Sequence, residues 1–338
     1  MVKENEYIYK NSKSCFGIKT ISNKKYFYKK TKNINKEIEG FNEVNQIYKV
    51  PKIAYCNNDE ILYEYKKELE DKTIHEYLYN KNHSFINYKK IFNQYKKSIT
   101  SWIIKEESEY RNTDFFKKRT NILDEYLKLD IVNKTYILNN KEYLLKDIIK
   151  EIKENLEEDK KLKGILTLGD PTDTNISVSG IFTVFECAGY NSIVGEIAIL
   201  YASFTTHGSY FYPKYNKNAY VLRTNLLFNY HKYKQDVVSL NDPDGKCILI
   251  PKFTILKKNK KVILRFLKFY NKYLKNDLEI NKYLKYYICM RILTPINIEK
   301  MDEYDTHVII ALLIYLYENC TDISSLIKII NKMKVKKN

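Results

Sequence analysis

Apolar positions alternate with polar ones near the start of the chain and follow a helical period over most of the rest. Residues 7–9, 15–21 and 25–30 are apolar or aromatic runs broken by Asn-Ser-Lys and Ser-Asn-Lys turns, and they read as three short strands. From 35 to 48 the period changes. Ile38, Phe41, Val44 and Ile47 recur at helical spacing, with Asn35 placed to cap and Glu37 and Glu39 in the first turn. Val50-Pro51 ends that helix. Two further strands, 53–56 and 61–65, flank the hairpin signal Asn57-Asn58-Asp59-Glu60. Thr73-x-x-Glu76 is a capping box that opens another helix, and His75 is expected on that helix's surface.

Residues 88–160 read as helical throughout. Ile91, Tyr95, Ile99, Trp102 and Ile103 make one apolar stripe, 115–129 a second helix and 143–156 a third. Later, 247–255 is strand-like behind the turn Asn241-Asp-Pro-Asp-Gly245. Helices are expected at 262–273, 280–293 and 306–318, with Pro295 separating the last two and Asp302 and Asp305 as caps. The tail, 332–338, is expected to be frayed and basic. Strands first and helices afterwards make an α+β protein.

The segment 164–196, GILTLGDPTDTNISVSGIFTVFECAGYNSIVGE, interrupts the helical run. Residues 169–175 form the densest cluster of turn formers in the chain, expected as an exposed loop on a rigid base. Ser179-Gly180 predicts a hairpin whose second strand is 181–185. Asp170 and Asn175 stand five apart. That is the pairing of a kinase-type catalytic loop, in which the Asp takes the proton of the attacking hydroxyl and the Asn carbonyl binds a nucleotide-borne Mg²⁺.

The wording Gly169-Asp170-Pro-Thr-Asp-Thr-Asn175, followed by Phe185-Glu186-Cys-Ala-Gly-Tyr-Asn191 and Gly195-Glu196-Ile-Ala198, resembles the aminoglycoside phosphotransferase and choline kinase superfamily. The resemblance implies a bilobal, protein kinase-like fold: a small β-rich N-lobe over 1–66 and a larger, mainly helical C-lobe over 67–338 that carries the catalytic loop, 168–191. It implies ATP or GTP and Mg²⁺ as cofactors and a hydroxyl of a small molecule as acceptor. Asp170 would be the catalytic base and Asn175 a metal ligand. Lys29 on the third strand would hold the phosphates, with Lys30 as its competitor, and Glu37 would brace the lysine. Adenine would meet backbone groups near Glu64 and Tyr65. Helical insertions and the aromatic loop 205–216 would shape the acceptor site.

Two positions depart from the family pattern. Leu168 stands where His is common. Val184 stands where a metal-binding Asp is usual, and a valine offers no hard oxygen to Mg²⁺. Either Glu186 or Asp173 replaces that carboxylate, or the protein is a pseudokinase-like module that binds nucleotide or ligand without transfer.

Composition adds little to this picture. The 338 residues are 44% hydrophobic and include 32 tyrosines, and the net charge is +17. Lysine is spread along the length with no compact Arg-rich stripe, so nucleic acid is not an expected partner. Six dispersed cysteines form no C-x-x-C pair. The start lacks a signal-like apolar run and no apolar run approaches a bilayer span, so the expected location is cytoplasmic. Oligomeric state has no signature in the sequence.

Overall fold

A computed structural model describes residues 3–10, 14–67, 73–79, 85–111, 113–206, 218–219, 236–241 and 245–336. Strands occupy the N-terminal part and helices most of the remainder, in a mixed α+β arrangement. The chain forms two compact units. One gathers Met1–Ile103 and Gly164–Asn191; the other gathers Ile104–Lys163, Ser192–Leu222 and Leu226–Asn338.

The first unit is built on an antiparallel sheet of β1 (Lys3–Lys10), β2 (Ser14–Ile21), β3 (Lys24–Thr31), β4 (Ile53–Cys56) and β5 (Glu60–Glu64), in the order β1-β2-β3-β5-β4. Ser22 and Asn23, both at positive φ, close the tight turn between β2 and β3. Asn57 Oδ1 accepts from the amides of Asp59 and Glu60 and fixes the turn before β5. Pairing Lys29 with Ile61 and Phe27 with Tyr63 places those four on one face.

Helix α1 (Ile34–Val44) buries Ile34, Glu37, Gly40, Phe41 and Val44. It starts one residue earlier than the pattern predicts. Asn33 occupies the cap position but makes no side-chain cap bond, and Asn35 lies inside the helix. Helix α2 (Ile74–Tyr79) follows, then α3 (Tyr88–Thr100), capped by Asn87 accepting from Lys90 N. Ile91, Tyr95 and Ile99 of α3 are buried, whereas Trp102 lies past its end and is 47% exposed. The Tyr48 ring meets Tyr95 and Phe182 edge-on at 5.7 and 5.3 Å, so helix and loop segments share one core.

In the second unit the helices Ile193–Thr205, Lys257–Leu274, Leu278–Leu293 and Glu303–Asn319 pack together. All thirteen residues of Ile193–Thr205 are buried, as a predominantly apolar helix requires, Glu196 included. Asp302 caps its helix by accepting from Asp305 N at 2.8 Å. A mixed sheet joins the strands 236–241, 247–252, 135–138 and 141–144 in that order.

Four expectations are corrected. Residues 88–160 are not helical throughout: Ile103–Glu106, Thr135–Leu138 and Lys141–Leu144 are strands, the last two joined through Asn139 and Asn140 at positive φ. Local turn chemistry, Asn-Asn between β-branched and aromatic residues, prevails there over a helix-like spacing. The segment 181–185 forms no strand; the hairpin is reduced to an isolated bridge between Ile176 and Phe182. The tail is not frayed up to residue 336. A helix, Ile323–Lys332, leads into Lys334–Lys336, which pairs in parallel with Thr254–Leu256. Residues 169–175 are buried or half-buried rather than exposed; their polar groups are met partly within the loop and partly by α2. The acceptor loop proposed at 205–216 lies, from 207 onward, outside the described residues.

Candidate active site

Apart from Glu64 and Tyr65, the residues selected from the sequence fall into two clusters, both inside the first unit. The first is centred on Glu37. Lys29 projects from β3 and Glu37 from the first turn of α1, and Lys29 Nζ lies 2.6 Å from Glu37 Oε1. Both side chains are buried, at 7% and 1% exposure. Lys30, on the other face of β3, is exposed. The same Glu37 oxygen accepts from the Phe185 amide at 3.1 Å. One carboxylate oxygen therefore ties the strand lysine to the segment that carries Val184 and Glu186. The other oxygen, Oε2, is buried with no hydrogen-bond partner among the described residues, as is the Tyr63 hydroxyl. Burial first, and the Glu37 charge second, push the Tyr63 hydroxyl well above its ordinary pKa, so it stays neutral.

Close packing holds this cluster. A Cβ at Gly40 would fall 2.0 Å from Phe185 O and 2.9 Å from Ala188 O. Only a glycine lets the 185–188 backbone lie directly on α1. The Phe185 ring then meets Phe41 edge-on at 5.4 Å. Asn33 Nδ2 donates to Glu186 Oε1 at 2.5 Å, which explains why this residue does not cap its helix.

The second cluster is the loop itself. Asn175 Nδ2 donates to Asp170 Oδ2 at 3.0 Å and to Asp170 O at 2.9 Å. With its amide nitrogen so used, Asn175 presents its carbonyl oxygen as the group able to ligate a cation. The amides of Thr172 and Asn175 donate to Asp170 O and Thr172 O. Gly169 sits at φ +70°, where a Cβ would lie 2.0 Å from Cys187 O. Asn191, fully buried, donates to Cys187 O, Gly189 O and Thr167 Oγ1 and so closes the loop's base.

His75 is not a surface residue. It is buried, its Nδ1 lies 2.9 Å from Asp173 Oδ2, and its amide donates to Asp173 O. Ile74 N donates to Ile176 O. The first amides of α2, which a helix leaves without internal partners, are thus used on the loop. Asp173, 1% exposed, is committed to this contact.

Glu64 and Tyr65 stand at the end of β5. Glu64 N donates to Lys52 O at 2.7 Å, and Lys25 Nζ lies 5.5 Å from the Tyr65 ring centroid. Among the described residues, no group of three or more His, Cys, Asp or Glu converges as a ready metal cage.

Sequence reasoning missed Asn33, Gly40 and Asn191 and misplaced His75. Gly40 carried a signal, since an isolated glycine inside a helical pattern often marks close packing. The partners of Asn33 and His75 lie 153 and 98 residues away, beyond any local pattern.

No protein-family model matches the sequence, and no curated protein does. Among solved structures, the chain is similar to a choline kinase from Cryptosporidium parvum, at 12% identity over 97% of this chain and 93% of that one, with a TM-score of 0.45. It is similar to the ADP-bound aminoglycoside phosphotransferase APH(2'')-Ib at 14% identity, over 96% and 95% of the two chains, with a TM-score of 0.43. It is also similar to an ethanolamine kinase from Plasmodium vivax at 12% identity, over 92% and 82%, with a TM-score of 0.40.

Proposed function

We propose that this chain is a kinase-like phosphotransferase of the aminoglycoside phosphotransferase and choline kinase type, moving the γ-phosphate of ATP or GTP to a hydroxyl of a small molecule. The observation that carries the reading is the buried Lys29–Glu37 pair, whose carboxylate also holds the Phe185 amide. A lysine buried on an acid has its ammonium fixed in place, which suits a phosphate clamp. Asp170 would take the proton of the acceptor hydroxyl, oriented for it by Asn175. Backbone groups near Glu64 and Tyr65 would receive the base. The functional lobes are proposed to divide near residue 66.

The residues fit a Mg²⁺ that arrives on the nucleotide phosphates. Such a cation takes few protein ligands, and the Asn175 carbonyl oxygen and the Glu186 carboxylate are the candidates. The ion would supply charge neutralisation; Lys29 and Asp170 do the positioning.

A second reading, binding without transfer, is favoured by a separate observation. Val184 removes one carboxylate, and both possible replacements are engaged: Asp173 on His75 and Glu186 on Asn33.

Nucleotide turnover by the purified protein, with Mg²⁺ and a pool of hydroxyl metabolites, tests the two. Transfer predicts Mg²⁺-dependent ATP or GTP loss that falls about 10²–10⁴-fold in Asp170→Asn. Absence of turnover together with a Mg²⁺-indifferent thermal shift on adding nucleotide, and turnover gained in Val184→Asp, would establish the binding module instead.

A further inference from the structure

The helix Lys257–Leu274 carries no Asp or Glu. Lys257, Lys261, Arg265, Lys268, Lys272 and the C-cap Lys275 recur every three or four residues, and all six are exposed. They form one straight stripe along a helix about 27 Å long. The five lysines have no acidic partner among the described residues. Four lysines, at 257, 258, 260 and 261, crowd the first turns with no acid among them. A helix N-terminus disfavours cations, so the helix dipole gives no reason for the exposed Lys257 and Lys261. The helix Glu303–Asn319, by contrast, has Glu303 and Asp305 in its first turn.

The stripe extends beyond the helix. Lys260 Nζ donates to Asn331 O and Met333 O, which brings the C-terminal segment beside the helix start. That segment adds the exposed Lys332 and Lys334. Each end also bears an exposed aliphatic residue: Val335, at 45%, on the strand paired with Thr254–Leu256, and Leu278, at 85%, three residues past Lys275.

We infer that this face docks on an anionic lipid bilayer surface. Lysine outnumbers arginine five to one on the stripe. Lysine acts as a point charge, whereas arginine is the residue of phosphate and base recognition. Phe269 and Tyr273, the flanking rings, are half-buried against each other at 5.3 Å, so no open ring is offered for stacking bases. A linear row of lysines with an aliphatic residue at each end matches a planar array of headgroups, the ammoniums among the phosphates and the aliphatic side chains at the acyl boundary. Among the described residues no helix is long and apolar enough to cross a membrane; the proposed association is a peripheral one.

The test is flotation of the full chain with phosphatidylcholine vesicles, with and without phosphatidylglycerol, over a salt series. Binding only to the anionic vesicles, weakening as salt rises, is expected. Lys261→Gln/Lys268→Gln/Lys272→Gln should lower the partition coefficient on the order of 100-fold. Lys89→Gln/Lys96→Gln/Lys97→Gln, an equal charge change on exposed positions of α3, should leave it near wild type. Leu278→Ser/Val335→Ser should remove the binding that persists at high salt. Unchanged unfolding midpoints confirm that the variants are folded. Absence of binding to anionic vesicles overturns the proposal, as does equal loss in the two triple variants. So does RNA displacing the vesicles with its own affinity abolished by the stripe variant, which would make this a nucleic-acid face.

Discussion

Lys29 and Glu37 show why a single buried charge is costly. Both are largely buried, and each is the other's ionic partner. Lys29→Met leaves a buried carboxylate without its cation and should lower stability by about 3–5 kcal/mol. Lys29→Met/Glu37→Leu should recover most of that loss, since replacing both partners with apolar groups is often nearly neutral. Denaturant midpoints check both statements, and neither variant should show a nucleotide-dependent thermal shift. At this scale the sequence was partly legible. Lys29 was preferred over Lys30 on the third strand, and the family resemblance singled out Glu37, whereas the helix dipole accounts equally for Glu37 and Glu39. His75 was not legible, because a capping box marks where a helix starts and says nothing of what lies against it.

At the level of elements, the tightest join is between α1 and the 185–188 backbone. Gly40→Ala would drive a methyl group into Phe185 O. Relieving that clash requires α1 and the 185–188 segment to separate, which should cost about 1–3 kcal/mol, read as a lower thermal midpoint. The Glu37–Phe185 bond should weaken with it, so under the proposed function nucleotide affinity should fall as well. Helices with a clean 3.6-residue period were found within a few residues of their observed bounds. The strands at 135–144 were hidden because they fall between the helical patterns at 115–129 and 143–156, and the Asn139-Asn140 turn went unread. The hairpin expected after Gly180 failed for another reason: Ile181, Phe182 and Phe185 are drawn into the core around Tyr48 and Phe41 instead of pairing edge to edge.

Over the whole molecule, 58 basic residues face 41 acidic ones. The sequence suggested an even spread of lysines. The helical pattern was recognised from residue 262, and the four lysines just before it were left out, so the stripe could not be seen. Self-repulsion at this net charge opposes the compact state and is screened by salt. The unfolding midpoint should therefore rise between low and physiological ionic strength, as calorimetry would show, and rise less in Lys261→Gln/Lys268→Gln/Lys272→Gln.

The oxygen shared by Lys29 and Phe185 has one more implication. A phosphate that pulled the ammonium toward itself would slacken one of two tethers on a common anchor and leave Glu37 to grip the Phe185 amide alone. Arrival of ligand at the strand would then be felt at Glu186 with no rigid-body movement. Neither end of such a linkage can be retuned by mutation without detuning the other.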